Sequence, residues 1–204
     1  MVSARNQKVG PALAMLDISD VPRGMSTLDA LVKESPVTVV SAGTIPSGRY
    51  LILFGGGVEV VEYAWNKARA TAGSSLLDAV MLPHAEERIL PAISAQKPKT
   101  PDAGDTLGVL QAGSAPTIIR AIDHALKGAY VELLELRVAL GLTGKATALL
   151  WGETHDVEAA IALARDAGKL GRGDTVSWSI VRNADPEITR AFDGGSAFFG
   201  GGGE

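Results

Sequence analysis

Three histidines, His84, His124 and His155, and a few glycine-rich turns are the residues from which this sequence could assemble a reactive site. His84-Ala85-Glu86 has the His-x-Glu spacing of zinc hydrolases, and in the deaminases cysteine thiolates complete the metal shell. Cysteine is absent here, so such a site has no way to be finished. Thiolate zinc, cysteine nucleophiles, disulfides and cysteine-held iron–sulfur clusters fall with it. His155-Asp156-Val157-Glu158 opens a helical pattern, where carboxylates suit the positive end of the helix dipole, and reads as a capping segment. His124 stands mid-helix beside Asp123 and reads as a surface or interface residue. No nucleophile, base and orienting acid come together. The expectation is a protein that is not an enzyme and that holds neither a cofactor nor a metal.

Gly55-Gly56-Gly57 lies between a strand pattern and a helix pattern, where phosphate-binding loops sit. Its spacing does not fit G-x-G-x-x-G, and Glu59 and Glu62 put negative charge where a phosphate would dock. A tight turn is the better reading. Gly141-Leu142-Thr143-Gly144-Lys145 approximates a P-loop, but Ala139 stands where the first glycine belongs and a strand pattern follows instead of a helix. More informative are Ser47 in Pro46-Ser47-Gly48 and Thr143 in Leu142-Thr143-Gly144. Each sits in a small-residue hairpin turn followed by a cation, Arg49 or Lys145, and the two turns correspond to each other.

That correspondence extends over most of the chain. With a spacing of 94, Ala12-Leu13-Ala14-Met15-Leu16 overlies Thr106-Leu107-Gly108-Val109-Leu110, and Pro22, Asp29, Lys33 and Val37 overlie Pro116, Asp123, Lys127 and Val131. Two extra residues then move the spacing to 96, where Gly48 meets Gly144 and Gly56 meets Gly152. The 204 residues thus divide into a first domain over 11–92, a linker over 93–105, a second domain over 106–192 and a glycine-rich tail over 193–204. Linker and tail are expected to be solvated.

The composition suits such an arrangement, with 46% apolar residues and 21% charged. A net charge of −4 without like-charge runs argues against nucleic-acid binding through phosphate neutralisation. No apolar stretch approaches the roughly 20 residues of a membrane span, and Met1 to Gly10 is too polar for a signal peptide. A cytoplasmic protein without a lipid-membrane partner is expected.

Within the first copy, Ala12 to Ile18 reads as a buried strand, and Met25, Leu28, Leu31 and Val32 recur at helical spacing with Ser26 or Thr27 near the start. Val37–Val40 and Arg49–Phe54 read as strands joined by a turn over 43–48. A second helix from Val58 ends at Gly73, and Leu76–Leu82 closes the copy as a strand. The second copy repeats this with strands at 107–111, 131–140, 145–151 and 174–182 and helices near 116–127 and 156–167. Leu133-Leu134 breaks the strand alternation and calls for a bulge or burial on both sides. The fold class is α+β: two tandem ferredoxin-like βαββαβ domains, each a four-stranded antiparallel sheet with both helices on one face.

The paired pattern resembles the bacterial microcompartment shell proteins, in their tandem-domain, non-permuted, single-layer trimeric type. The resemblance is carried by Asp29-Ala30-Leu31-Val32-Lys33 and Asp123-His124-Ala125-Leu126-Lys127, by Thr44-Ile45-Pro46-Ser47-Gly48 and Gly141-Leu142-Thr143-Gly144, and by Met81-Leu82-Pro83-His84 and Ile180-Val181-Arg182-Asn183. It implies a shell tile in which three chains form a pseudohexamer that packs with hexameric and pentameric shell proteins and faces encapsulated enzymes. Ile45, Pro46, Ser47, Gly48, Gly141, Leu142, Thr143 and Gly144 would line a central pore for metabolites, with Arg49 and Lys145 giving it a basic approach. Asp29, Lys33, Asp123, Lys127 and Arg182 would lie at tile edges. Pro46 stands where the family often has glycine, which stiffens the first turn. The alternative is a metabolite-binding regulatory protein of the same fold, with its ligand at a domain interface.

Overall fold

The computed structural model describes residues 9–94, 106–138, 142–171 and 176–193. Its first half runs β1 (Ala12–Ile18), α1 (Val21–Glu34), β2 (Thr38–Ile45), β3 (Arg49–Gly56), α2 (Val58–Ala72) and β4 (Leu76–Leu82), followed by a short α3 (Ile89–Ser94). The second repeats the order as β5 (Thr106–Ala112), α4 (Ala115–Gly128), β6 (Glu132–Val138), β7 (Ala146–Gly152), α5 (Thr154–Gly168) and β8 (Ser177–Val181), followed by α6 (Pro186–Asp193). The sheets are antiparallel with orders β2-β3-β1-β4 and β6-β7-β5-β8. Two tandem α+β domains are therefore present. Neither α3 nor α6 is foreshadowed in the sequence reading.

The bulge expected at Leu133-Leu134 is there, as a register shift in β6 between Leu133 and Glu135. The matching shift lies in β2 between Val39 and Ser41. Two expected boundaries move by several residues. Helix α1 starts at Val21, not near Ser26, because Asp20 caps it by accepting the Arg23 N–H at 2.9 Å and Pro22 is comfortable in a first turn that needs no N–H. Strand β2 extends to Ile45, since Ser41 to Ile45 pair with Leu53 to Arg49; cross-strand partners override the weak strand preference of Gly43.

In the first half, α1 and α2 cover one face of the sheet, enclosing Leu16, Ile18, Leu31, Ile52, Phe54 and Val61. The other face carries Leu13, Met15, Leu51, Leu53, Val80 and Leu82 and belongs to a core shared with the second half. Helix α4 closes that face, and its Ile118, Ile119, Ile122 and Leu126 join the shared core, each contributing about 1.5–3 kcal/mol by its burial. The corresponding face of the second sheet carries Leu107, Leu149, Trp151, Val109 and Val181, met within the chain by Ala184 and by Ile188 of α6. No helix among the described residues is long and apolar enough to cross a membrane.

Candidate functional site: the seam between the halves and the two hairpin turns

Strands β1 and β4 are apolar except for one acid each, Asp17 and Asp78, and these two residues are cross-strand neighbours. Both are buried, and both face the seam between the halves. Arg49, at the start of β3, satisfies Asp17 with two hydrogen bonds, Nε donating to Oδ1 at 2.9 Å and Nη2 to Oδ2. On the other side, Asp78 Oδ2 accepts from the hydroxyls of Ser114 and Thr117, the latter at 2.7 Å, so an acid of the first half anchors the N-terminus of α4. Arg120, one turn further along α4, donates Nη2 to the Ala79 carbonyl at 2.6 Å. Burial pulls its guanidinium below the usual arginine range, and the Asp78 carboxylate opposes that shift.

At the far end of α4 the seam is closed by the Asp-x-x-x-Lys pair. Asp123 Oδ1 accepts the Glu86 N–H at 2.8 Å, its Oδ2 pairs with Lys127 Nζ at 2.7 Å, and Lys127 also donates to the His84 carbonyl. Arg88 donates to the carbonyls of Val131 (2.8 Å) and Leu126 (3.1 Å), and its hydrogen bond to Glu86 holds that carboxyl below the ordinary range. The His84-Ala85-Glu86 motif is thus occupied with main-chain recognition across the seam.

The structure separates the residues expected at tile edges. Asp29 and Lys33 are exposed and pair with each other at 2.7 Å. Arg182 is exposed and pairs with Glu158. Asp123 is buried at the seam inside the chain instead of on an outer rim, because the segment after β4 folds back onto it; Lys127 keeps 44% of its side chain exposed there.

Both hairpin turns hold a hydroxyl residue and the glycine after it at positive φ, but they close one position apart. Ser47 and Gly48 take φ of 101° and 72°, and Thr143 and Gly144 take 51° and 84°. Among the described residues, the first is closed by the Gly48 N–H donating to the Ile45 carbonyl at 3.2 Å and the second by the Lys145 N–H donating to the Leu142 carbonyl at 2.9 Å. Pro46, Ser47, Thr143 and Lys145 are exposed, Ile45 and Leu142 half-buried. Gly141 lies outside the described residues, as do 95–105 and 194–204. The two cations differ: Lys145 reaches solvent, whereas Arg49 is committed to Asp17 and lies against the second turn. A Cβ on Gly144 would overlap its Nη1, so glycine is required there both for a left-handed backbone and for close approach.

An open cleft of about 660 Å³ lies beside the seam, with Arg88, Tyr130, Trp151, Glu132, Glu153 and Asp156 in its wall. Its arginine is already engaged by Glu86 and two carbonyls. Glu153, His155 and Asp156 lie within reach of one another at its edge, His155 being exposed between the two acids at 3.5 and 3.4 Å. Nothing in this cleft arranges a nucleophile or an electrophile. The residues that sequence reasoning overlooked are Asp17, Asp78 and the Ser114–Thr117–Arg120 set. Their signal was present as a lone acid inside Ala12–Ile18 and another inside Leu76–Leu82, two strands otherwise built for burial.

The BMC domain family matches this chain twice, over residues 12–85 and 106–184. The bacterial microcompartment shell protein PduT of Citrobacter freundii is 31% identical over 161 residues, covering 78% of this chain and 86% of that protein. A crystal structure of a microcompartment protein from Desulfitobacterium hafniense superposes with a TM-score of 0.74 at 27% identity, covering 88% of this chain and 98% of the other. A fused permuted hexameric shell protein from the RMM microcompartment shares the fold, with a TM-score of 0.61 at 19% identity over 78% of this chain and 84% of that one. With the domain matched in both halves and the halves joined through the seam just described, the chain belongs to the BMC-domain family, as a tandem-domain shell protein of bacterial microcompartments.

Proposed function

We propose that three copies of this chain close into a flat ring of six alternating halves, a pseudohexameric tile of the microcompartment shell in the cytoplasm. One observation carries the reading. Helix α4 of the second half covers the open face of the first sheet, while the matching helix α1 and the matching face of the second sheet are left without each other inside the chain. Both helices have 14 residues, an N-cap 94 positions apart and proline in the first turn. The positions of Ile119 and Leu126, buried in α4, are held in α1 by Met25 and Val32, which are 59% and 43% exposed. A contact that joins unlike surfaces in this head-to-tail way propagates until it closes. In the proposed ring that closure comes after three chains, with six halves around the axis.

In that ring the turns Ile45–Gly48 and Gly141–Gly144 converge on the axis and line an opening for metabolites. Their left-handed residues let six backbones approach, and the hydroxyls of Ser47 and Thr143 present polar groups to what passes. The charge of the approach rests on Lys145, since Arg49 is neutralised by Asp17; an opening with three such lysines favours anionic metabolites. Asp29, Lys33, Lys127 and Arg182 border neighbouring tiles, the partners being other shell proteins and, on one side, encapsulated enzymes. The tile has a structural role without catalysis. Light scattering with negative-stain imaging of the purified protein tests the reading. A mass near three chains and flat arrays on concentration are expected, and a monodisperse monomer at high concentration overturns it.

A further inference from the structure

The seam inside the chain is a template for the seam between copies, and the residues at equivalent positions have exchanged chemical roles. Strand pairing fixes the equivalence. Asp78 pairs with Asp17 on β1, and Ser177 pairs with Gln111, the β5 residue 94 positions on from Asp17. On the helices, Ser114 and Thr117 correspond to Asp20 and Arg23, as the N-caps show. Within the chain, then, a strand carboxylate (Asp78) receives two helix hydroxyls. Between copies a strand hydroxyl, Ser177, would meet a helix carboxylate and a guanidinium.

We infer that Ser177 of one copy docks between Asp20 and Arg23 of the next, and that this inverted polarity fixes the order in which halves alternate around the ring. The inference rests on the ring proposed above. Ser177 is exposed, with one hydrogen bond to the Gln111 carbonyl at 3.3 Å, so its hydroxyl is accessible to a partner. Asp20 is half-exposed and held below the ordinary carboxylate range by the Arg23 N–H and the hydroxyls of Ser75 and Ser19, so it is an anion whose remaining lone pairs can accept one more hydrogen bond. Arg23 is exposed, with Nη1 3.3 Å from the Thr71 carbonyl. On docking, the single Ser177 O–H turns from the Gln111 carbonyl, where its 3.3 Å bond is long, to donate to the first, and its oxygen accepts from the second. The same inversion excludes the wrong pairing. If α1 of another copy displaced α4 from the first sheet, Asp20 would be pressed against the buried Asp78, and two desolvated carboxylates repel. Like halves therefore do not join, and the covalently linked partner keeps its place.

Transplanting the internal pattern to the outer seam tests this. Arg23→Thr with Ser177→Asp sets acid against acid without the compensating guanidinium. Adding Asp20→Ser rebuilds the set found at Asp78, Ser114 and Thr117, and serine remains a competent N-cap, so α1 is preserved. Sedimentation over a dilution series reads the assembly, and circular dichroism melting checks the fold of each variant. The double variant is expected to raise the dissociation constant of the assembly by at least about tenfold, and the triple variant to restore it to within about threefold of the parent. A double variant that assembles like the parent overturns the inference and leaves the ring standing, and so does a triple variant that fails to recover. A parent that is not a trimer removes the ring, and the inference with it.

Discussion

The two sheets have the same strand order, the same bulge and the same helices on one face, yet the other face of the first is closed by the long helix α4 of the second half, whereas that of the second is met by the short α6. The residues record the difference. Position by position, α4 carries Ile118, Ile119 and Ile122 where α1 carries Gly24, Met25 and Leu28. At the turn end of the first sheet Arg49 binds Asp17, whose neighbour on β4 is Asp78, and the matching positions of the second half hold Lys145, Gln111 and Ser177. The two halves share one domain pattern and differ in the residues at their contact surfaces.

The sharpest way to break this comparison is to make one substitution at both equivalent helix positions. Ile119→Glu places an unpaired carboxylate in the shared core and should destabilise the chain by about 4 kcal/mol or more, a loss of the folded state visible in urea titration. Met25→Glu, on the exposed face of α1, should leave the chain's own stability within about 0.5 kcal/mol of the parent while reducing the assembly to single chains by light scattering. Equal unfolding by both would end the distinction between an inner and an outer seam.

Next in size is the contrast between the two cations. Arg49→Ala strands the buried Asp17 carboxylate and should lower stability by about 3–5 kcal/mol, read as a fall in the unfolding midpoint. Lys145→Ala removes an exposed charge and should leave that midpoint nearly unchanged, while lowering anion over cation passage through reconstituted shells. The smallest effects belong to the turn glycines. Gly48→Ala has open space around it and should cost about 1 kcal/mol for its left-handed backbone. Gly144→Ala should cost more by about another 1 kcal/mol, because Arg49 must move as well. Identical thermal shifts for the two would mean that Arg49 does not rest on the second turn.

Much of the fold is legible in the residues because the repeat doubles every signal. Leu76–Leu82 has the bounds read from its apolar run, and Gly73 ends α2 as read from its position after the last periodic residue. The boundary at α1 was not legible, since Ser26 and Thr27 are good capping residues and only the fold places Asp20 at the turn. The hairpin turns could be recognised as a pair from their glycines and hydroxyls. Their unequal charge could not, because Arg49 and Lys145 look alike until Asp17, 32 positions away in the chain, is found beneath one of them. In the same way, Asp123 and Lys127 match Asp29 and Lys33 letter for letter, and only the return of the segment after β4 shows that one pair is engaged across the seam and the other faces outward.

The buried row of Arg49, Asp17 and Asp78 has a consequence for how such a protein can be built. Stripping water from three ionised groups is unfavourable, and a contact that must form by collision between separate molecules bears that penalty at micromolar dilution. Covalent continuity raises the local concentration of one half around the other to the millimolar scale or beyond, which offsets it. The joint made by the chain with itself therefore has room for desolvated ions, while the joint proposed between chains would carry a serine and a glutamine on its strands.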